Sequence, residues 1–115
     1  MQHKILKYVL DIQSVIQEIE NIKLKTTNNF NQFKSDIILQ RAVERDLEII
    51  GEAVKKLIDL NPTIKITSSK NIIGLRNIII HAYDSIEPEL IWSIIQKDIP
   101  IFQDEIIKIK NNTIS

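Results

Sequence analysis

Apolar side chains recur along this chain at intervals of three and four, the spacing that lines one face of a helix. In the first segment, about Gln2 to Lys23, they are Ile5, Tyr8, Val9, Ile12, Val15, Ile16, Ile19 and Ile22. This predicts an amphipathic helix with a wide apolar stripe. Thr26, Thr27, Asn28 and Asn29 break the pattern, as clustered turn formers do. Phe30 and Phe33 then anchor a short turn onto the core, and Ser35 or Asp36 supplies the cap of the next helix. That helix, about Asp36 to Asp59, carries Val43, Leu47, Ile50, Val54 and Leu57 at spacings of 4, 3, 4 and 3, nearly a coiled-coil seam. Gly51 interrupts it at a cost of about 1 kcal/mol against alanine. Either another helix approaches closely there or the glycine is simply tolerated. Glu52 beside it faces water or the polar stretch that follows later in the chain. Asn61-Pro62 ends the helix.

Residues Thr63 to Thr67 read as extended or irregular, and Ser68 and Ser69 offer caps for a third long segment. Its five isoleucines favour strands intrinsically, but two amphipathic neighbours and no partner strand favour a helix. Asp84 and Ser85 end it, and Pro88 suits the first turn of another helix. Leu90, Ile91, Ile94 and Ile95 give that helix its apolar side, with Trp92 close by. Pro100 is expected to break or kink it after Asp98. A last helix should run to about Lys110 through Phe102, Ile106 and Ile109, with Asn111 to Ser115 frayed. The expected architecture is an all-α, up-down bundle of four to five helices, one domain over residues 1–115.

Composition narrows the class. The chain is 43% hydrophobic and 26% charged, with 15 basic residues against 15 acidic ones, which fits a soluble globular domain. Charge balance disfavours indiscriminate nucleic-acid binding, which rests on many phosphate contacts. Locally the balance shifts: Lys55, Lys56, Lys65, Lys70 and Arg76 face only Asp59 between Ala53 and Arg76. No cysteine is present, so neither a disulfide framework nor a thiolate metal site forms. That suits a reducing cytoplasm. Charges at Lys4, Lys7, Asp11, Glu18 and Glu20 leave no signal-peptide core, and no apolar run approaches a membrane span.

The chemistry concentrates in Gly74-Leu75-Arg76-Asn77-Ile78-Ile79-Ile80-His81-Ala82-Tyr83. Polar groups beside an apolar run need partners, because burying them alone is costly. In a helix each residue advances about 100°. Asn77 and His81 then share a face, and Arg76 and Tyr83 lie about 20° apart, two turns along. Arg76 and His81 diverge by about 140°. They converge through the length of the arginine, a bend, or a second copy of the chain. Arginine is a permanent cationic fork suited to phosphate oxygens, and histidine exchanges protons near neutrality. Asparagine can orient the imidazole or hold a phosphate. These are the parts for cleaving RNA without a metal. His81 would deprotonate a 2′-hydroxyl or protonate a leaving oxygen, while Arg76 stabilises charge on the phosphorus. The plain alternative is a core helix whose polar groups are capped and paired.

Arg76-Asn77-Ile78-Ile79-Ile80-His81-Ala82-Tyr83 resembles the Arg-x4-His-x-Tyr signature of HepT toxins, within the HEPN superfamily. Phe33 to Leu57, with its Ile50-Gly51-Glu52-Ala53, looks like that family's second helix, and Ile91-Trp92 with Asp98-Ile99-Pro100 looks like its C-terminal part. Nearly the whole chain is covered. Family members often carry a tryptophan before the signature, where this chain has Ile66-Thr67. That departure touches packing more than chemistry. The resemblance implies a HEPN-like fold and a homodimer with both Arg/His pairs lining an interface cleft. It further implies metal-independent RNase activity, with Arg76 and His81 catalytic and Asn77 supporting. It also implies a partner, an MntA-type nucleotidyltransferase antitoxin that attaches AMP to the signature tyrosine, by position Tyr83.

Two other readings remain at this point. One is a helical binding module that partners a nucleotidyltransferase without cleaving RNA, against which stands the intact Arg76/His81 pair. The other is a structural four-helix interaction protein in which His81 and Tyr83 are packing residues.

Overall fold

A computed structural model describes residues 2–67, 70–74 and 87–114, and there the apolar stripes become the seams of a helical bundle. Among the described residues every regular element is helical. Helix α1 is Gln2–Lys25, α2 is Phe30–Lys34 and α3 is Ile37–Leu60. Residues 70–74 are helical. After Pro88 the chain is one continuous helix, with α4 as Pro88–Ser93, a π-helical turn over Ile94–Asp98, and α5 as Ile99–Ile114.

The α1 stripe packs on α3 and α5, with Val9, Ile12 and Ile19 entirely buried. The helix runs two residues past the expected Lys23 because a hydrogen-bonded stop lies further on. Asn28 N–H donates to Lys23 O at 2.8 Å and Thr27 N–H to Leu24 O at 2.9 Å. This is the paired closure of a Schellman motif. It needs left-handed backbone, which Thr27 and Asn28 adopt at φ 51° and 53°. Such φ values are unfavourable for a β-branched threonine.

The expected phenylalanine turn is a helix of its own. Asn29 accepts from Gln32 N–H at its start. At its end the buried Gln40 amide donates to Phe33 O and Lys34 O, at 3.0 and 2.9 Å. Phe33 is fully buried, with its ring centroid 5.1 Å from that of Trp92, and Phe30 stands 5.9 Å from the same indole. Of the two caps proposed for α3, Asp36 acts: its carboxylate accepts from Leu39 N–H at 3.1 Å. Val43, Leu47, Ile50, Val54 and Leu57 are at most 2% exposed, so the coiled-coil-like stripe is the core seam. Gly51 is buried within it.

Pro100 does not break the helix. It removes one N–H and crowds the carbonyl four residues back, and the chain answers by widening one turn. Ile99 N–H bonds Ile94 O, a five-residue step, characteristic of a π-bulge. The packing gains from this. Ile91, Ile95 and Ile99 are fully buried, yet two steps of four would drift about 80° around an α-helix. The slower winding of the wide turn takes up that drift. Nor does the tail fray at Asn111. The helix continues to Ile114, with the Thr113 hydroxyl donating to Ile109 O at 2.8 Å.

Candidate active site

Arg76, Asn77, His81 and Tyr83 lie outside the described residues, as do the caps Ser68 and Ser69. What the structure gives is the frame on which that segment begins. Residues 70–74 form its leading turn, with Ile72 only 3% exposed. Asn71 and Ile72 border a crevice with Leu47, Ile94 and Asp98, so the π turn abuts this leading turn. At Gly74 a Cβ would meet nothing within 4 Å. On the far side the chain resumes at Glu87, with Pro88 in the first turn of α4.

The loop ahead of the leading turn is held at both ends. Asn61 Oδ1 accepts from Thr63 N–H at 3.1 Å and from the Thr63 hydroxyl at 2.5 Å. Thr67 donates its N–H and its hydroxyl to Glu105 Oε2 on α5. The other oxygen of Glu105 is buried and has no hydrogen-bond partner among the described residues. Between this loop and α5 opens a cavity of about 500 Å³, lined in part by Asn61, Lys65, Glu105 and Lys108.

The basic edge expected from the sequence is exposed at Lys55, Lys56, Lys65 and Lys70. Lys56 is partly engaged, 3.5 Å from Glu52 and 5.6 Å from the Tyr8 ring centroid. Glu52 itself is half exposed at its side chain, and the polar stretch around Arg76 that it was also expected to face lies outside the described residues.

Two carboxyl groups stand out that the motif search passed over. Asp46 on α3 is 5% exposed. Its carboxyl is pushed up to about 7, first by burial and then by a hydrogen bond with Glu18 and the charge of Glu18, with Arg45 opposing. Its position was a signal: three residues after Val43 and four before Ile50, it falls on the apolar stripe. Glu105 offered no such signal, because its partner Thr67 is distant in sequence. No three His, Asp or Glu side chains among the described residues converge as a metal site would require. No described helix is long and apolar enough to cross a membrane.

A family model described as "Ribonuclease HepT-like" matches residues 12–109. Among curated relatives, "Putative RNase MJ1380" of Methanocaldococcus jannaschii is 37% identical over 79 residues, covering 68% of this chain and 72% of its own. "Putative RNase TTE0752" of Caldanaerobacter subterraneus is 34% identical, covering 85% of this chain and 89% of its own. "Probable ribonuclease HepT" of Thermococcus cleftensis is 32% identical, covering 90% and 93%. No solved structure matches significantly. The match takes in α3, the loop to Thr67, the Arg76–Tyr83 segment and most of α5, and the chain belongs to the ribonuclease HepT-like family.

Proposed function

We propose that this protein is the toxin of a toxin–antitoxin pair, an endoribonuclease that cleaves RNA without a metal ion and works as a homodimer. The observation that carries the reading is the family match over residues 12–109, because that span contains Arg76, His81 and Tyr83 in the Arg-x4-His-x-Tyr order. In the cleavage step a 2′-oxygen attacks the adjacent phosphorus and the 5′-oxygen leaves. One proton departs from the 2′-hydroxyl and one reaches the leaving oxygen. His81 moves one of these protons. Arg76 holds the phosphoryl oxygens as their charge grows, and Asn77 orients the imidazole or the phosphate. A partner subunit brings a second Arg/His pair to the cleft, which would offset the angular separation that a helix would impose on Arg76 and His81. Exposed apolar surface at Ile37 and Ile38, 53% and 76% exposed, supports self-association.

The antitoxin in this reading is a nucleotidyltransferase that joins AMP from ATP to the Tyr83 hydroxyl, the phenol losing its proton and pyrophosphate leaving. The new phosphodiester places negative charge seven positions along the chain from Arg76 and competes with RNA for it. The test is cleavage of RNA by purified protein in excess chelator. Wild type should cleave, and Arg76→Ala should lose about 100-fold or more. Activity that vanishes with chelator, or an Arg76→Ala protein as active as wild type, contradicts the reading.

A further inference from the structure

The cavity between the 61–67 loop and α5 has a chemistry that the cleavage reading leaves unused. Its volume, about 500 Å³, is within the range of small-molecule sites and large enough for a single nucleotide. Ile64 and Ile109 supply apolar wall, while Lys65 and Lys108 supply two cations. Both lysines are exposed, and neither takes part in an ion pair among the described residues. Asn61 spends its carbonyl oxygen on Thr63, which leaves its amide N–H groups as donors. Glu105 spends one oxygen on Thr67 and keeps a buried acceptor that no donor among the described residues satisfies. An unmet acceptor of this kind is costly until a donor arrives.

Two cations and the carboxylate side chain of Glu105 line one cavity, and they call for a ligand with a phosphate at one end and an N–H donor at the other. A nucleotide is such a molecule, with an apolar ring between. We infer that this cavity is a subsite for one nucleotide of the RNA strand, away from the cleaved bond. Lys65 and Lys108 hold its phosphate, Ile64 and Ile109 flank its base, and Asn61 and Glu105 meet the base edge. The inference rests on the ribonuclease reading. Position supports it, since only eight residues separate Thr67, fastened to Glu105 at the cavity, from Arg76.

The test is fluorescence anisotropy of a 2′-O-methyl RNA oligonucleotide, which the full-length wild type binds but cannot cleave. Lys65→Ala/Lys108→Ala should bind about 10-fold more weakly at physiological salt. Its salt slope should be shallower by about 1.4, the loss of two single-strand phosphate contacts. Lys25→Ala/Lys97→Ala, at exposed lysines elsewhere, should bind as wild type. Equal losses in both double variants, or none in either, overturn the subsite. Free AMP that displaces the oligonucleotide at matched concentration also overturns it, giving the cavity to a free nucleotide. Cleavage of the unmodified RNA by wild type is scored in parallel. If wild type cleaves while Lys65→Ala/Lys108→Ala binds normally, the subsite alone fails. If wild type neither binds nor cleaves, both readings fall.

Discussion

Thr67 gives both of its donors, backbone N–H and hydroxyl, to one oxygen of Glu105, at 2.8 and 2.9 Å. This fastens the loop leaving α3 to the C-terminal helix immediately before the segment that carries Arg76. The bonds are charge-assisted but partly in water, so their worth lies at the lower end of such pairs. Glu105→Ala should therefore lower unfolding free energy by about 1 kcal/mol, read by denaturant titration. Amide exchange at Thr67 should accelerate with it. Unchanged exchange at Thr67 would show that the loop is held by something else.

Asp46 makes stability depend on pH in an unusual direction for a carboxyl group. Its folded value, about 7, stands above the ordinary 3.8, so the native state binds more protons than the unfolded chain between those values. Stability then falls as pH rises through that window and levels off above it. Asp46→Asn keeps a neutral side chain of similar size. It should flatten the decline between pH 5 and 8 and make the protein more stable than wild type at pH 8. Thermal unfolding at four or five pH values in that range decides it, and parallel curves for the two proteins would contradict the assignment.

Tyr83 carries the regulatory part of the proposal. Tyr83→Phe removes the hydroxyl that would accept AMP while keeping the ring. Co-expressed with an MntA-type nucleotidyltransferase, the Tyr83→Phe protein should still arrest growth and show no mass gain of one AMP, whereas wild type should gain that mass and be silenced. A Tyr83→Phe protein that is silenced as well as wild type rules out this mode of control.

The helices were legible because isoleucine, leucine and valine recur at three and four, and because Asp36 and Pro88 stand where helix starts need them. The points the local pattern missed or left open share a cause: each depends on backbone geometry or partners outside that pattern. Pro100 forbids an ordinary α-turn, but the buried spacing of Ile91, Ile95 and Ile99 rewards a widened one over a break. The end of α1 follows from the Schellman closure at Thr27 and Asn28, residues that sequence rules read only as turn formers. Asp46 was readable from its place on the stripe. The Thr67–Glu105 link spans 38 residues, beyond any motif. The roles proposed for Arg76, Asn77, His81 and Tyr83 rest on the sequence signature, which lies inside the matched range.

The central claim is that His81 participates in RNA cleavage. Its most direct measurement is growth and total RNA integrity after induced expression of wild type beside His81→Ala, with solution mass measured on both purified proteins. The account predicts arrest and RNA loss with wild type, neither with His81→Ala, and a dimeric mass for each. Wild type and His81→Ala that are equally inert as folded dimers would contradict it, and the chain would then be a binding partner rather than a nuclease.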